Sequence, residues 1–370
     1  MTVLRAARVL TPGGVVGPAE VVVDGEHIAA VRPVTGPVAD RTIVPGFVDL
    51  QVNGIDDIDV AHARDGDWDR LDALLVAQGT TTWCPTIVTA PMHRYGPALE
   101  RIAAAAARTG LRPSIAGAHL EGPFLGGAPG AHDPALVQPI DLAWLAGLPT
   151  IVRLMTLGAE PAGALEAIAL LVARGVLVSV GHSTATFEEV AAAVDAGARL
   201  VTHLFNGMNA LHHRRPGVPG AALTDDRVAV SLIADGVHVH PAALRLAFAA
   251  KAADRVVLVT DAVAWRAGTA GPVRIELRDG APRLADGTLA GSAVTMDEAV
   301  RLVVQRCGVS LAVAIGAAST NPAALLGLHD RGAIEVGRRA DLVELDGLLR
   351  VRRTWIGGAC VHDAGTGPPR

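Results

Sequence analysis

The sequence is poor in cysteine and contains no long apolar run. Its 370 residues include three cysteines, Cys84, Cys307 and Cys360, which lie far apart and form no Cys-x-x-Cys pair. An odd number of scattered cysteines does not make a disulfide scaffold and favours a reducing compartment, so we expect a cytoplasmic protein. We expect neither a signal peptide nor a membrane span, because no stretch approaches the ~18 consecutive apolar residues that cross a bilayer.

Positive charge and aromatic side chains are also scarce. Lys251 is the only lysine, aromatic residues make up 3% of the chain, and the formal net charge is −5. Nucleic-acid-binding proteins normally carry a basic stripe, so nucleic acid is not expected as a partner. One local basic cluster exists, His212-His213-Arg214-Arg215. Without further context, this cluster is simply a solvated charged loop.

The two ends of the chain have the pattern of β-structure. Residues 1–44 consist of short apolar runs separated by Gly-Gly, Asp-Gly and Pro-Val turns, and the C-terminal residues repeat this pattern. We therefore predict a small β-sandwich domain formed by residues 1–44 plus 333–370, with residues 45–332 inserted between them as a second domain.

The middle of the chain alternates between two patterns. Apolar runs typical of strands occur at 47–53, 81–88, 114–120, 151–157, 176–181, 200–205, 228–234 and 256–260, and helical spacing of Ala, Leu and Val separates several of them. Eight βα units over roughly 250 residues predict a (β/α)8 TIM-like barrel. A doubly wound open sheet is the alternative, but its usual nucleotide-binding motifs are missing.

Polar residues collect where the predicted strands end. In a closed barrel these ends share one rim, where the chemistry takes place. The first strand, VDLQVNG, carries Asp49, Gln51 and Asn53 on one face, because strand side chains repeat every two residues. Later strand ends carry His119, Glu121, His182, His203, Asn206, Asp235, His238 and Asp261.

Three of these residues form a mixed His/carboxylate set. Glu121, His182 and His203 have the ligand chemistry of a catalytic zinc site with an open water position. A lone strand-end His is more often a hydrogen-bonded core residue, and a lone Asp more often a helix N-cap, yet several at successive strand ends favour one shared site. Asp261 would stand across the mouth as proton carrier. His119 could be a ligand or a packing residue, and we rank it below Glu121.

Seven segments resemble one known family. In chain order they are PGFVDLQVNG, HLEGPF, GHSTAT, THLFNGM, ADGVHV, VTDA and GTLAGSAVTMDEAV. Together they resemble the N-acetylglucosamine-6-phosphate deacetylases of the amidohydrolase superfamily, over nearly the whole chain. The resemblance implies a hydrolase of amino-sugar catabolism that converts N-acetyl-D-glucosamine 6-phosphate to D-glucosamine 6-phosphate and acetate.

The resemblance also implies the metal chemistry. Glu121, His182 and His203 would hold one divalent metal ion per subunit, with zinc favoured over iron, manganese or cobalt. Members with two metals usually carry His-x-His where this chain has Gln51 and Asn53, and amides are poor ligands beside imidazole, so a second metal is not expected. Gln51 would then hold the water or its surroundings, and Asn53 would lie behind it.

Catalytic and substrate-binding roles follow from the same resemblance. Asp261 would serve as base and then acid, and His132 would donate a hydrogen bond to the oxyanion. The phosphate contacts would come from Arg214 and from the backbone amides of Asn206 and Gly207. The sugar contact would come from His238. Because this arginine can reach the site of a neighbouring subunit in the family, a homodimer is expected.

Other functions are compatible with parts of this sequence. Other amidohydrolases that cleave cyclic amides or deaminate bases usually keep His-x-His, so Gln51 and Asn53 count against them. A deacetylase for a related N-acyl amino sugar, such as N-acetylgalactosamine 6-phosphate, stays open because the residues do not separate the two configurations. A non-catalytic scaffold, or a sugar-phosphate-binding module without turnover, would predict loss of the ligands or of the proton carrier, and all are present.

Overall fold

The fold is described by a computed structural model that covers residues 1–365. Residues 366–370, the end of the predicted small domain, lie outside the described residues. Among residues 1–365, none of the helices combines the length and the apolar character needed to cross a membrane.

Eight parallel strands form a nearly closed barrel in which neighbours in the chain are neighbours in the sheet. The strands are Phe47–Val52, Thr80–Val88, Ala118–Glu121, Val152–Leu157, Leu177–Val180, Leu200–Val201, Ala229–Ile233 and Val256–Val259. The barrel prediction is therefore confirmed and the open sheet was wrong. The third strand begins at Ala118 rather than at residue 114, because Ser114–Ile115 forms a separate short strand beside Thr82 and Trp83.

Helices cover the outside of the barrel with apolar faces. They span Gly66–Ala77, Tyr95–Ala106, Leu142–Ala146, Ala164–Ala173, Phe187–Asp195, Gly217–Thr224, Pro241–Ala250, Met296–Cys307, Leu311–Ala318 and Thr320–Leu325, with 3-10 turns at Met92–Arg94, Pro134–Leu136 and Ala253–Arg255. Phe187–Asp195 begins where it does because Thr186 accepts a hydrogen bond from the Glu189 amide at 3.2 Å, while the Glu189 carboxylate accepts from the Thr186 amide at 2.7 Å.

Two sheets built from the chain ends pack face to face. The first contains Thr2–Ala6, Ala19–Asp24 and His27–Pro33, and the second contains Ala359–Asp363, Val351–Ile356, Leu342–Leu345, Thr42–Pro45, Arg8–Thr11 and Gly14–Val16. Leu4, Val21, Ile43, Leu342 and Trp355 belong to the apolar core that both sheets share. The sandwich thus draws strands from both termini, as predicted, while the domain limits at 44/45 and 332/333 remain proposals.

Short antiparallel strand pairs follow the first and the last barrel strands. Gly54–Ile55 pairs with Ile58–Asp59 directly after the first barrel strand. After the last barrel strand, Thr269–Ala270 pairs with Val273–Arg274, and Glu276–Arg278 pairs with Ala281–Arg283. The pair Glu276–Arg278 and Ala281–Arg283 forms a hairpin within the stretch VRIELRDGAPRLADG, residues 273–287.

Asp49 joins the first and last strands of the barrel. Its carboxylate accepts hydrogen bonds from the Thr260 hydroxyl at 2.6 Å, the Thr260 amide at 3.3 Å and the Gln51 amide at 3.2 Å. Closer to the C-terminal ends of these strands, two backbone hydrogen bonds continue the connection. The Asp261 backbone amide donates to the Gln51 backbone carbonyl at 3.0 Å, and the Asn53 backbone amide donates to the Ala262 backbone carbonyl at 2.8 Å. These bonds bring the ends of the first and last strands together, so residues about 210 positions apart share one rim.

The buried carboxyl of Asp49 should make stability depend on pH. Burial raises its pKa from 3.8 to about 7, with the hydrogen bonds of Thr260 and Gln51 opposing the rise. Between these two values the folded chain holds a proton that the unfolded chain has released, so stability falls as the pH rises. We predict that the melting temperature of the native chain, relative to that of Asp49→Asn, falls between pH 5 and pH 8.

The measurement is thermal unfolding of both proteins across this range. Asp226→Asn, at an exposed aspartate, is the matched control. The difference in melting temperature between the native chain and Asp226→Asn should not change with pH. A constant difference between native and Asp49→Asn proteins would contradict the prediction.

Candidate active site

Three site residues have left-handed backbone at the ends of barrel strands. His182, His203 and Asp261 have φ angles of 48°, 32° and 50°. Non-glycine residues adopt such angles at an energetic cost, which surrounding structure must offset. The cost is concentrated where the fifth, sixth and eighth strands turn into their loops, and it aims these three side chains into the barrel mouth.

Three ligand-type atoms meet at this mouth. Oε1 of Glu121 lies 3.1 Å from Nε2 of His182 and 2.9 Å from Nε2 of His203. The two Nε2 atoms lie 3.1 Å from each other. All three side chains are buried. The structure therefore brings together the three residues that the sequence selected as ligands.

A divalent cation fits this arrangement. Nδ1 of His182 lies 3.2 Å from the Ala128 carbonyl, which can only accept, so Nδ1 carries the ring proton and Nε2 of the neutral ring presents a lone pair. That lone pair faces a carboxylate oxygen, an arrangement that is repulsive unless a positive charge stands between them. Four ligands at ~2.0–2.2 Å in a tetrahedron would lie about 3.3 to 3.6 Å apart, slightly more than the 2.9 to 3.1 Å between these atoms.

His132 also lies near this cluster, and its hydrogen bonding separates it from the ligands. Ligand atoms of Glu121, His132 and His182 lie within 4.8 Å of one another, so distance alone would admit His132 as a ligand. The Thr89 amide, however, donates to Nδ1 of His132 at 3.3 Å. The proton of the neutral ring is then on Nε2, which can donate a hydrogen bond but cannot bind a metal. His203 is the better third ligand.

Gln51 and Asn53 hold the two carboxylates of the site together. The Gln51 side-chain amide donates to Glu121 Oε1 and to Asp261 Oδ1, each at 3.0 Å. The Asn53 side-chain amide donates to the same Asp261 oxygen at 2.7 Å. The polar face of the first strand thus supplies N–H donors between two acidic groups. This explains why amides occupy a buried strand in so apolar a sequence.

The electrostatics give the acidic groups different protonation. Burial raises the pKa of Asp261 to about 8, with the charge of Glu121 adding to the effect. Burial would likewise raise the pKa of Glu121, but its contacts with His182 and His203 outweigh burial and hold that pKa well below its usual range. A cation beside Glu121 would cancel the charge that Asp261 meets and lower the pKa of Asp261. Asp261 could then accept a proton near neutral pH.

Two buried histidines near the ligands are held neutral. Burial lowers the pKa of His132 to about 3. Burial also lowers the pKa of His119 to about 4. His119 contacts the Leu50 carbonyl at 3.1 Å through Nδ1 and the Thr156 hydroxyl at 2.8 Å through Nε2. Both of its nitrogens are occupied, so His119 ties three strands together and is not placed as a ligand.

A cavity of about 210 Å³ opens over this cluster. Asn53, Glu121, His132, His182, His203, Asn206, Gly207, His238 and Asp261 line it. Residues from 263 to 291 also line it, among them the apolar Ala270, Val273 and Leu289. Sequence reasoning gave residues 263–286 no role at the site. The only available signal was their position directly after the strand that ends in Asp261.

His238 is oriented by a residue one turn earlier in the chain. Its Nδ1 lies 2.6 Å from the Asp235 carboxylate, whose other oxygen accepts from the Val237 and His238 amides at 2.8 Å. Burial would raise the pKa of Asp235, but its hydrogen bonds, that from His238 foremost, hold the pKa below its usual value. An ionised Asp235 keeps the proton on Nδ1 and leaves Nε2 of His238 free to accept from a ligand.

The residues assigned to phosphate binding are divided between two places. Asn206 and Gly207 line the cavity, whereas Arg214 is exposed and does not. The Arg214 guanidinium lies 2.9 Å from the His213 ring. Among the described residues that line the cavity, none is an arginine or a lysine. The structure therefore leaves Arg214 apart from the cavity of its own chain.

The family follows from comparison of the whole chain. A model of the amidohydrolase family matches residues 42–361, which include every residue of the site. The chain belongs to the amidohydrolase family. This assignment makes it a metal-dependent hydrolase that acts on amide bonds, in agreement with the cluster of Glu121, His182 and His203 at the barrel mouth.

Several amidohydrolases of known name are similar to this one over most of its length. An N-acetylgalactosamine-6-phosphate deacetylase of Escherichia coli O157:H7 is 39% identical, covering 96% of this chain and 98% of its own. An N-acetylglucosamine-6-phosphate deacetylase of Bos taurus is 40% identical, covering 86% and 83%. A crystal structure of the latter enzyme from Thermotoga maritima superposes with a TM-score of 0.91 at 32% identity, covering 98% and 100%.

A fourth similar protein was solved with a sugar phosphate bound. It is a mutant of the N-acetyl-D-glucosamine-6-phosphate deacetylase of Mycobacterium smegmatis in complex with N-acetyl-D-glucosamine 6-phosphate. It superposes on this amidohydrolase with a TM-score of 0.91 at 36% identity, covering 97% of this chain and 99% of its own.

Loss of a ligand should separate His203 from His132. We predict that His203→Ala lowers the metal content of the purified chain to well under half, since one of three protein ligands is lost. His132→Ala should retain its metal, because that ring presents a proton rather than a lone pair. Elemental analysis of metal per chain measures both, with His119→Ala as a buried-histidine control that also keeps its metal. If His132→Ala lost its metal and His203→Ala retained it, His132 would be the ligand.

Proposed function

We propose that this amidohydrolase removes the acetyl group of N-acetyl-D-glucosamine 6-phosphate, giving D-glucosamine 6-phosphate and acetate. The observation that carries the proposal is the meeting of Glu121, His182 and His203 with Asp261 and His132 at one cavity. The named deacetylases to which the chain is similar along most of its length support the substrate class.

Glu121, His182 and His203 would hold the metal ion, for which zinc is our first choice because two imidazoles and one carboxylate leave an open fourth position. When bound, a divalent metal lowers the pKa of a water molecule towards ~7 and polarises the substrate carbonyl. Iron, manganese and cobalt suit the same donors.

Asp261 carries the proton through the reaction. Its carboxylate, held by Gln51 and Asn53, accepts a proton from the attacking water as the C–O bond forms. It then donates that proton to the leaving nitrogen as the C–N bond breaks, so one group serves as base and acid. The atoms balance as amide plus water giving carboxylic acid plus amine.

His132 stabilises the charge that develops on the carbonyl oxygen. Its Nδ1 accepts from the Thr89 amide, which places the ring proton on Nε2, and its low pKa keeps the ring neutral. A fixed N–H donor in a buried site stabilises an oxyanion strongly, because no solvent has to reorganise.

Among residues 1–365, no arginine or lysine lines the cavity, so a cationic contact to the substrate phosphate would come from outside it. We propose that Arg214 reaches the cavity of a second copy in a homodimer. The backbone amides of Asn206 and Gly207 and the His238 ring complete the contacts to phosphate and sugar. A planar guanidinium suits bidentate phosphate contact, and the exposure of Arg214 leaves it accessible to a neighbour.

N-acetyl-D-galactosamine 6-phosphate is the second candidate substrate. It is favoured by the relative from Escherichia coli O157:H7, whose match covers 96% of this chain. The two sugars differ at one carbon, and their acetamides are chemically alike. The mechanism above applies to either.

We also propose a cytoplasmic location. Its support is that Cys84, Cys307 and Cys360 are all free in the described residues, which suits a reducing compartment.

Acetate release tests the reaction. We predict that the metal-loaded chain releases acetate from N-acetyl-D-glucosamine 6-phosphate, and that Asp261→Asn keeps its metal but lowers kcat by about a thousandfold or more, because an amide cannot accept the proton. Assaying the galactosamine epimer in parallel decides between the sugars by kcat/KM. Turnover of neither sugar would refute the proposed function, and near-normal turnover by Asp261→Asn would remove Asp261 as proton carrier.

Arg214 and Arg215 offer a matched pair for the phosphate contact. We predict that Arg214→Ala raises KM for the phosphorylated sugar at least ~10-fold, the size expected for a lost charge-assisted bidentate contact, and leaves activity on the unphosphorylated sugar unchanged. Arg215→Ala should stay within about twofold for both substrates. Equal changes in KM for the two sugars would exclude a phosphate role for Arg214.

A further inference from the structure

The loop that presents His132 is rich in glycine and needs outside contacts to hold its shape. It reads GPFLGGAPGAH from Gly122 to His132. Glycine loses more backbone freedom on folding than any other residue, so such a loop is costly to order. The position of the His132 ring therefore depends on what fixes residues 126–132, which we call the His132 loop.

Glu160 contacts both this loop and the loop that follows His182. Its Oε1 accepts from the Gly127 amide at 2.8 Å and from the Thr184 amide and hydroxyl at 2.6 and 3.1 Å. Its other oxygen accepts from the Ser183 hydroxyl. Glu160 itself follows the fourth barrel strand, so one carboxylate joins the loops after strands three, four and five.

The same loops are also joined by backbone bonds and close contacts. The Gly126 amide donates to the His182 carbonyl at 2.8 Å, and Nδ1 of His182 donates to the Ala128 carbonyl at 3.2 Å. A Cβ atom at Gly126 would collide with the Glu160 carboxylate, and one at Gly127 would collide with the Thr184 hydroxyl. The glycines are what allow the backbone to approach the carboxylate this closely.

We propose that Glu160 is a positioning residue: its carboxylate ties the His132 loop to the loop beyond His182 and so sets where the His132 ring stands. It does not line the cavity, so it acts through His132 and not on substrate. The inference rests on the proposed function for its kinetic consequence, while the tether itself is independent of the reaction. The backbone amides of Gly127 and Thr184 need only a hydrogen-bond acceptor at the right distance. The length of the side chain at position 160 therefore matters more for the tether than its negative charge.

Two substitutions of Glu160 separate the effect of side-chain length from the effect of side-chain charge. Glu160→Asp keeps the charge but shortens the side chain by one carbon, about 1.5 Å, so it should lose the tether. Glu160→Gln keeps the length and an acceptor oxygen, while its amide nitrogen can donate to the Ser183 hydroxyl. We expect Glu160→Asp to lower kcat about 10- to 100-fold with KM within about threefold, the scale of a small misplacement of a catalytic group. Glu160→Gln should stay within about fivefold of the native kcat.

Glu189→Asp is the matched control. Glu189 also accepts a hydrogen bond from a backbone amide, that of Thr186 at 2.7 Å, but it caps a helix and contacts none of the His132 loop. The same shortening there should leave kcat within about twofold. A native kcat in Glu160→Asp, or an equal loss in Glu160→Gln, would overturn the proposal.

A double substitution tests whether Glu160 acts through His132. In a His132→Ala background, Glu160→Asp should cause less than about a twofold further loss of kcat, because the group it positions is absent. Losses that multiply would mean that Glu160 acts elsewhere, and would overturn the proposal.

Hydrogen exchange of the metal-loaded proteins gives a readout without turnover. Amides of residues 126–132 should exchange faster in Glu160→Asp, and be unchanged in Glu160→Gln and Glu189→Asp, because the tether raises the cost of local opening. Unchanged exchange in Glu160→Asp would refute the tether. If the native chain hydrolyses neither sugar, the proposed function fails, yet this exchange experiment still decides whether Glu160 holds the loop.

Discussion

Two buried carboxylates that share the side-chain amide of Gln51 are the constraint on which the rest of this molecule depends. Glu121 and Asp261 each accept from that amide at 3.0 Å, and both are buried. Two such acids in one place repel each other, and burial alone disfavours their charged forms. The imidazoles of His182 and His203 on one side and the amides of Gln51 and Asn53 on the other make the arrangement tenable. The result is one carboxylate suited to holding a cation and another suited to moving a proton.

The barrel places Glu121 and Asp261 close together but in different surroundings. Strand neighbours in the sheet are neighbours in the chain, and Asp49 with Thr260 brings the first strand against the last. Once the ring is nearly closed, the strand ends form one rim, and Gln51 can reach an acid 210 residues away. Left-handed backbone at His182, His203 and Asp261 then turns their side chains inward. Glu121 ends a rigid strand, and His182 and His203 follow shortly after two others, while the longer loops carry the groups that adapt to a substrate.

Different loops carry the other residues of the candidate site. The His132 loop places the His132 ring beside His182, and Asp235 orients His238 from the loop after the seventh strand. Apolar residues that follow the eighth strand also line the cavity. Arg214 does not line the cavity of its own chain, which supports the proposal that a second copy supplies this arginine.

The sequence alone determined the order of strands and helices and the residue types at the strand ends. Alternation with a period of two or 3.6 is a local property, so eight βα units and the candidates Glu121, His182, His203 and Asp261 could be read from it. Only the tertiary structure decided that His119 is turned to Leu50 and Thr156, that Gln51 bridges two acids, and that Glu160 touches two loops. The start of the third strand at Ala118 and the helix Gly217–Thr224, within a Gly- and Pro-rich stretch, also escaped local reasoning. The reason is physical, because hydrogen bonds between residues far apart in the chain follow from barrel closure and loop packing, and no local pattern records them.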